Sequence, residues 1–276
     1  MAVVEPRTTK ILQWNINGLR SRFPRLQYLI EEFQPKILIL QEHKLNDVYF
    51  NYFKGFDLYS FCRPVAGGGG VCIAVHKNIP STRIHLQTNL EAVACKVFFN
   101  DFILHICNVY FNDDADINDT SLSDLIDSIP SPKLILGDFN AHHPSWGSQV
   151  GDRRGDIVSN TFLDKNLQLL NDGSPTFYRA SQDHYSHLDL TFCSNNIYNL
   201  FNWRVHHDRL SSDHFPIFLD YKVDEIYTTK IPRWKFEDAN WQAFRNSVIL
   251  PDFQHDHNLY NTSIIDYFKF LFDSYP

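Results

Sequence analysis

Four short apolar runs in this chain carry an Asp, Asn, Glu or His side chain at one end, and this pattern constrains the fold most. The clearest run is Lys133–Leu136, which predicts a short buried strand and continues into Gly137-Asp138-Phe139-Asn140. If the strand register continues, Asp138 and Asn140 leave on the same face, just past the C-terminal end of the strand. Open α/β proteins usually build their sites at that place.

Three other segments show the same pattern. They are Ile11–Gly18 with two Asn residues, Lys36–His43 with Glu42, and Ser212-Asp213-His214, which leads into the run Ile217–Leu219. One such residue at a strand end is often only a turn or a cap. Four in one chain favour strand ends that meet and form a shared site.

The composition bounds the class of protein. The chain has 276 residues, of which 43% are apolar and 15% aromatic, so one large domain with a short appendage is the simplest arrangement. The net charge of −7 excludes a generally basic nucleic-acid binder. The net charge does not exclude nucleic acid as a substrate, because an acidic site with a divalent cation can lie inside a locally basic groove.

Cysteine usage and hydropathy indicate an intracellular protein. The five Cys residues show no Cys-x-x-Cys spacing, and most lie in apolar strand-like runs. That pattern is typical of buried free thiols in a reducing compartment, not of disulfides or a zinc site. The N-terminus has no apolar signal segment, and no stretch approaches the ~18 apolar residues of a membrane span. We therefore expect a soluble protein with no membrane association.

Strand-like runs outnumber helical ones, which indicates a mixed α/β chain with much antiparallel sheet. The predicted strands are Lys10–Ile16, Lys36–Gln41, Val71–His76, Val93–Phe99, Phe102–Tyr110, Lys133–Leu136, Leu188–Phe192 and Ile217–Tyr221. The predicted helices are Phe23–Phe33, Ser121–Ile129 with Ser121 and Asp124 as a capping box, and Asp156–Lys165. The pattern changes after Tyr221, so we expect one domain over residues 1–224. Residues 225–276 are expected to be a partly helical linker or the start of a following region.

The strand-end residues suit the hydrolysis of a phosphodiester. Glu42, Asp138 and Asp213 offer hard carboxylate oxygens, and Asn side chains in the same segments add amide oxygens. This set favours Mg²⁺ or Mn²⁺ over zinc. His214 can act as a base or as a transition-state donor if an acceptor such as Asp189 fixes its tautomer. Together these groups fit in-line attack of a metal- or His-activated water on phosphorus.

The strand-end motifs follow one another in a set order along the chain. They are Trp14-Asn15-x-Asn17-Gly18-Leu19, Gln41-Glu42, Val109-Tyr110, Gly137-Asp138-Phe139-Asn140-Ala141, Leu188-Asp189 and Ser212-Asp213-His214. This order resembles the endonuclease/exonuclease/phosphatase superfamily, and in detail the apurinic-like endonuclease domain of non-LTR (LINE-type) retrotransposons. The resemblance implies a deoxyribonuclease I-like, four-layer α/β sandwich, in which helices flank two packed mixed β-sheets and the site lies at one end.

The resemblance also implies a metal site. Glu42 would be the main ligand of Mg²⁺, for which Mn²⁺ substitutes, with help from Asn15, and Asp213 would lie near the metal or the His. Two positions depart from the family pattern. Asn17 stands where apurinic endonucleases often have Asp, and Asn112 lies in a Tyr-Phe-Asn-Asp stretch where relatives have Tyr-x-Pro. We therefore expect Asn17 and Asn112 to contact DNA.

The catalytic set that the resemblance implies is Tyr110, Asp138, Asn140, Asp189 and His214. Asp138 and Asn140 would position or activate the attacking water and hold the phosphate, which Tyr110 would contact. The Asp189–His214 pair would stabilise the transition state or deliver protons. An Asp inside an apolar strand is costly unless it is used, which supports this assignment.

A predicted hairpin over residues 176–187 would project from the rim of the site. Its second strand leads to Asp189, and its side chains can meet phosphates, stack or wedge in a groove. The candidate DNA contacts are Tyr178, Arg179 and Tyr185 in this hairpin, and Arg153 and Arg154 in the loop after Asp138. A plain solvent-exposed hairpin is the alternative.

The resemblance implies an endonuclease that nicks one strand of double-stranded target DNA in the nucleus. The 3′-hydroxyl would prime target-primed reverse transcription by a reverse transcriptase domain of the same polypeptide. A phosphatase, a sphingomyelinase-type phosphodiesterase and an inactive DNA-binding domain are the alternatives. Inositol phosphatases carry Trp-Cys-Asp-Arg where this chain has His187-Leu188-Asp189-Leu190, and no exposed aromatic membrane loop is evident. The intact acidic and His set argues against an inactive domain.

Overall fold

The computed structural model describes residues 8–45, 50–63, 69–99, 102–112 and 115–222. The predicted linker over 225–276 lies outside these residues. In chain order, the elements of the described part are β1 Thr8–Asn15, α1 Leu19–Phe33, β2 Ile37–Gln41, β3 Phe56–Phe61, β4 Val71–His76, β5 Ser81–Ile84, β6 Glu91–Phe98, β7 Ile103–Tyr110, α2 Asp119–Asp127, β8 Lys133–Asp138, α3 Arg153–Asp164, β9 Leu167–Leu169, β10 Phe177–Arg179, β11 His184–Ser186, β12 Asp189–Ser194, β13 Phe201–Val205 and β14 Ile217–Lys222. None of these helices is long and apolar enough to cross a membrane.

Two six-stranded mixed sheets form the body of the fold. The first has the order β13-β14-β1-β2-β4-β3, and the second has the order β5-β6-β7-β8-β12-β9. Each contains one parallel pair, β1 with β2 and β7 with β8, and antiparallel neighbours elsewhere. In a parallel pair the carboxyl ends of both strands lie side by side. Each sheet therefore brings two strand ends to the same edge.

The strands are apolar on both faces because both faces are covered. Ile11 of β1 packs between the two sheets, while its neighbour Leu12 packs under Leu26 and Leu29 of α1. On the other side, α2 and α3 cover the second sheet. Each fully buried aliphatic side chain of this kind contributes about 1.5–3 kcal/mol. The predicted four-layer sandwich is thus confirmed, and the continuous apolar runs follow from it.

Buried amides fix the two sheets against each other near the site. Gln13 of β1 donates from Nε2 to the carbonyl of Gly137 at 3.1 Å and accepts from Thr191 Oγ1 at 3.0 Å. Gln41 of β2 donates to Asn108 Oδ1 of β7 at 2.6 Å. Gly137 has a φ of 151° and touches the backbone of Val109 so closely that a Cβ would overlap its carbonyl oxygen. These contacts set the register on which the site depends.

The eight predicted strands are all present, with ends within two residues of the prediction, and β6 and β7 pair as an antiparallel hairpin. The helices begin earlier than predicted. Helix α1 starts at Leu19 and contains Pro24 beyond its first turn, and α3 starts at Arg153. The capping box of α2 is formed by Asn118 and Ser121, so the predicted Ser121–Asp124 box is wrong. The helix there begins at Asp119, three residues before Leu122, the first apolar position of the pattern.

Four strands escaped prediction, because they are short or half-exposed and lack a clear apolar run. They are β3, β5, β9 and β13. The two strands of the predicted hairpin, β10 and β11, pair with each other as an antiparallel two-stranded ribbon. The hairpin itself was expected over 176–187, so its existence is confirmed.

Candidate active site

The polar strand ends meet at one end of the sandwich. Strand pairing sets Asp189 of β12 opposite Asp138 of β8, and Tyr110 of β7 on the other side of Asp138. Asn15 at the end of β1 reaches across from the first sheet to Asp138. His214 completes the group from the segment before β14. Residues from five strand-end segments therefore form one site, as the sequence predicts.

Asn15 joins the carboxylates of the two sheets. Its Nδ2 donates to Glu42 Oε1 at 2.9 Å and to Asp138 Oδ2 at 2.8 Å, while its Oδ1 accepts the backbone N–H of Asn17 at 3.1 Å. Asn15 thus acts as a donor to the two acids here, and its role as a metal ligand stays a prediction. Because both amide protons point at carboxylates, Asn15 holds the two acids at a set separation.

The predicted pairing of Asp189 with His214 is present. His214 Nδ1 lies 2.8 Å from Asp189 Oδ2, and His214 Nε2 lies 3.7 Å from Asp138 Oδ2. The backbone carbonyl of His214 accepts the indole N–H of Trp14 at 3.1 Å. The pairing fixes the ring with Nδ1–H toward Asp189 and turns Nε2 toward Asp138.

The pKa values of His214 and Asp138 are both raised. Burial lowers the pKa of His214, but the carboxylates of Asp189 and Asp138 outweigh it and raise that pKa to about 10. Burial raises the pKa of Asp138 to about 7, against the opposing charge of His214 and with a further rise from Asp189. A protonated imidazole thus faces a carboxyl group that titrates near neutral pH. This arrangement suits a cationic donor next to a base.

Asp138 and Asn140 do not continue an extended strand as predicted. Asn140 adopts a left-handed conformation with a φ of 44°, and its backbone N–H donates to Asp138 Oδ1 at 3.0 Å. Its side chain donates to the carbonyl of Phe111 at 3.0 Å. The chain turns here because Asp138 supplies an Asx-type acceptor two residues back. Both side chains remain at the site, but the tight turn and not the strand register places them.

Arg154 braces this turn. Its guanidinium contacts the carbonyls of Phe111, Asn140 and Ala115, each at 3.3 Å. The sequence predicts Arg154 as a DNA contact, whereas the structure gives it a role inside the protein. Its neighbour Arg153 is exposed at the first turn of α3. Of the two predicted arginines, only Arg153 thus has its side chain directed to solvent.

Glu42 is the site carboxylate best placed for a cation. It follows β2 in a left-handed conformation with a φ of 49°, and its Oε2 lies 3.0 Å from Lys44 Nζ with 17% of the side chain exposed. Burial alone would raise its pKa, but hydrogen bonds from Asn15, Lys44 and Tyr110 and the charge of Lys44 hold that pKa below its usual value. Glu42 is therefore ionised and partly open to solvent, and its carboxylate oxygens are the kind of ligand that Mg²⁺ and Mn²⁺ prefer.

A second group of potential metal ligands consists of Asp138, Asp189 and His214, whose ligand atoms lie within 4.8 Å of one another. All three are buried, and a proton already bridges His214 and Asp189. Metal binding there would displace that proton from the imidazole. This group therefore suits proton chemistry, and Glu42 suits the cation.

Tyr110 lies beside Glu42, and Asn112 follows two residues later along the chain. Burial, followed by the charges of Glu42 and Asp138, raises the pKa of Tyr110 above its usual value. The phenol stays protonated and can donate to an oxygen of a substrate. Asn112 is half-buried and lines the cleft that begins at Tyr110.

Asn17 and Asp213 form the opposite wall. Asn17 Nδ2 donates to Asp213 Oδ1 at 2.9 Å, and Asn17 Oδ1 accepts from Lys44. Burial raises the pKa of Asp213, but the charge of His214 and hydrogen bonds from Asn17 and Ser212 outweigh it and hold that pKa below its usual value. Asp213 is thus ionised next to His214, which is one of its two predicted places.

Thr176 is a site residue that the sequence interpretation missed. It is fully buried, and its Oγ1 accepts the backbone N–H groups of Leu188 and Asp189 at 3.1 and 3.0 Å. Its carbonyl accepts the N–H of Phe215 at 2.8 Å. Thr176 therefore holds the segments on both sides of the Asp189–His214 pair. The one signal in the sequence is its position between Pro175 and Phe177, at the start of the predicted hairpin.

The β10–β11 hairpin rises from this point. Tyr178 and Tyr185 face each other across it with ring centroids 4.8 Å apart, and Tyr185 is 51% exposed. The N–H of Tyr178 donates to the carbonyl of Asp213 at 2.9 Å, so β10 also borders the catalytic segment. Arg179 is exposed near the tip. The predicted position at the rim is confirmed.

Comparison with known proteins agrees with this geometry. Residues 104–218 match the family model described as Endonuclease-reverse transcriptase. That match covers less than half of the chain. The chain is 24% identical over 246 residues to the probable RNA-directed DNA polymerase from transposon BS of Drosophila melanogaster. That alignment covers 87% of this chain and 27% of the relative, so the chain spans only a minor part of the relative's length.

Solved structures show the same fold. The endonuclease domain of TRAS1, a telomere-specific non-LTR retrotransposon, superimposes with a TM-score of 0.69 at 25% identity, covering 79% of this chain and all of that one. An AP endonuclease from Archaeoglobus fulgidus superimposes with a TM-score of 0.60 at 18% identity over 78% of this chain and all of that one. The predicted resemblance of this chain to the endonuclease domain of a non-LTR retrotransposon is confirmed.

Proposed function

We propose that this chain is a metal-dependent DNA endonuclease that nicks one strand by hydrolysing a phosphodiester and leaves a 3′-hydroxyl. The observation that carries the proposal is the buried Asp189–His214–Asp138 line, which ends beside the solvent-open carboxylate of Glu42. The line supplies a base and a cationic donor, and Glu42 supplies a place for a divalent cation. These are the parts that hydrolysis of a phosphodiester needs.

In the proposed mechanism each side chain has one task. Asp138, whose pKa of about 7 suits a general base, takes the proton of the water that attacks phosphorus. The bond between phosphorus and the 3′-oxygen breaks, and that oxygen takes a proton from solvent to give the 3′-hydroxyl. The His214 cation, held by Asp189, stabilises the negative charge that develops on the phosphoryl oxygens. Tyr110 donates to a non-bridging oxygen, and Asn140 holds the turn that positions Asp138. A divalent cation at Glu42 would supply Lewis-acid stabilisation of the same charge.

The wider biological role follows from the relatives. They are RNA-directed DNA polymerases that are much longer than the aligned segment. We propose that the nick primes target-primed reverse transcription by a reverse transcriptase domain of the same polypeptide, and that the protein acts in the nucleus on double-stranded DNA. The similarity to a retrotransposon endonuclease domain at 25% identity supports this role over a phosphatase or a sphingomyelinase.

A plasmid-nicking assay tests the proposal. The purified chain should convert supercoiled plasmid to open circles in Mg²⁺ or Mn²⁺, and the nicked ends should be extended by a DNA polymerase without prior treatment, because they carry a 3′-hydroxyl. Asp138→Asn purified in parallel controls for contaminating nuclease. Cleavage that resists a chelator would contradict the metal requirement. Hydrolysis of a phosphomonoester or sphingomyelin without any nicking would favour the alternative phosphodiesterase or phosphatase activities.

A further inference from the structure

A cleft beside Asp213 collects three arginines. It lies between the start of α1, the β10–β11 hairpin and the loop before Asp213, and Arg22, Arg179 and Arg209 line it together with Asn17 and Asp213. Because Asn17 and Asp213 also form a wall of the candidate active site, the cleft opens next to the carboxylates. We call this surface, defined by Arg22, Arg179 and Arg209, the arginine cleft.

No carboxylate within the described residues forms an ion pair with the three arginines of this cleft, whereas Arg63 and Arg204 are paired with Glu91 and Asp220. The chain as a whole has a net charge of −7. Three guanidinium groups without a carboxylate partner therefore create a positive region on an acidic protein, and such a region attracts anions.

Neutral groups hold two of these arginines in place. Arg22 donates from Nε to the carbonyl of Ser211 at 2.9 Å and also contacts the carbonyl of Asn17. Arg209 donates to the carbonyl of Ser212 at 3.3 Å and lies over the ring of Tyr178 at 4.5 Å from its centroid. Carbonyls and rings fix a guanidinium without cancelling its charge, and each guanidinium has five N–H donors. Donors therefore remain for a ligand.

The cleft on the other side of the site has a different character. It starts at Tyr110, and its one arginine, Arg63, is bound by Glu91 through two hydrogen bonds at 2.9 and 2.7 Å. Its lining also includes Asp116 and Asp124. An anionic ligand that leaves the active site is therefore attracted to the arginine cleft and repelled on the Tyr110 side.

We infer that the arginine cleft binds the phosphate backbone of DNA next to the scissile phosphate, with Arg22 and Arg209 as built-in phosphate contacts and Arg179 as a movable one. This inference rests on the proposed function, since it takes DNA as the substrate. It assigns a binding role to Arg22 and Arg209, which lie outside every recognised motif. The polyanion is favoured over a single phosphate because three separate guanidinium groups line one continuous cleft.

The test measures binding without cleavage. Affinity of the full chain for a short DNA duplex is measured in chelator at several salt concentrations for the wild type and for Arg22→Gln, Arg179→Gln and Arg209→Gln. In each variant the magnitude of the slope of the logarithm of the association constant against the logarithm of the salt concentration should fall by about 1. Binding should weaken about fivefold near 0.15 M salt, which is the loss expected for one phosphate contact. Lys77→Gln is the control, because Lys77 is exposed after β4 at the sheet end opposite Glu42 and its loss removes the same charge. Its slope should equal that of the wild type.

Two further measurements separate charge from folding. Arg22→Lys keeps the charge but loses the planar fork, so it should retain the wild-type slope if Arg22 contacts phosphate. A single methylphosphonate near the nick position removes one phosphate charge from the DNA and should weaken binding of the wild type. The same methylphosphonate should weaken binding of Arg22→Gln by a smaller factor, because that variant has already lost the contact. Wild-type slopes in all three Gln variants, with a wild type that nicks plasmid, would overturn the inference and leave the proposed function standing. A wild type that fails to nick in Mg²⁺ or Mn²⁺ would refute the proposed function and this inference with it.

Discussion

The chemical centre and the β10–β11 hairpin touch each other but are built in opposite ways. The centre draws Asn15, Asp138, Asp189 and His214 from segments spread over some two hundred residues of the chain, and all four are buried and hydrogen-bonded across both sheets. The hairpin is one local segment, and its tip is exposed. A buried network tolerates few substitutions, whereas an exposed ribbon tolerates many. We therefore expect the centre to set the rate and the hairpin to choose the position of cleavage.

The largest effect should come from the centre. His214→Ala and Asp138→Ala should each lower the single-turnover nicking rate by roughly 10²–10⁴-fold, as is typical for a lost acid–base group or transition-state donor. Both side chains lie at strand ends, so the fold should survive, which circular dichroism would check. A His214→Ala rate within about threefold of the wild type, well short of that range, would contradict its proposed role.

Thr176 tests the connection between the two regions. Thr176→Val keeps the shape but leaves the N–H groups of Leu188 and Asp189 without their acceptor, at a cost of about 1–3 kcal/mol in the free energy of unfolding. A displaced Asp189–His214 pair should lower the nicking rate by roughly 10- to 100-fold at unchanged DNA affinity. Thr176→Ser retains the hydroxyl and should stay near the wild type. Equal rates for the Ser and Val variants would show that the hydroxyl does not position the pair.

The pH dependence of the rate should report Asp138. A base must be deprotonated to act, and the pKa of Asp138 is raised to about 7, so activity should be lost as the pH falls below that value. With metal saturating, the single-turnover rate should drop about tenfold per pH unit below about 7 and level off above it. The residual activity of Asp138→Ala should lack this limb. A wild-type rate that is flat from pH 5.5 to 7 would assign the base to another group.

The smallest effect on rate should come from the hairpin tip. Replacing the tip residues 180–183 with a two-residue Asn-Gly turn shortens the exposed hairpin but keeps both of its strands, and the backbone of β10 still borders Asp213. Nicking of generic plasmid should stay within about threefold, while nick positions on a sequenced substrate should be redistributed, because groove shape is then read differently. An unchanged nick map would assign target choice to other loops. The loop over 142–155 is the next candidate, since it lines a cleft with the hairpin.

The strands most buried on both faces were also the most predictable. Continuous apolar runs predict the strands at Lys133–Leu136 and Val71–His76. The observed bounds of both strands lie within two residues of the predicted ones. The edge strand β13 and the short β9 escaped because packing against neighbours, not local pattern, makes them strands. The same reason explains Thr176, whose role comes only from the segments that surround it.

The sequence by itself determined which residues stand at the ends of the core strands, and hence that Glu42, Asp138, Asp189 and His214 share one edge. Only the tertiary structure decided what each group does there. It made Asn15 a donor between two acids, bent Asn140 out of the strand and placed Arg22 and Arg209 in one cleft. The physical reason is that strand periodicity is a local property, whereas the orientation of an amide, the charge around an imidazole and the grouping of arginines depend on the register between segments up to two hundred residues apart.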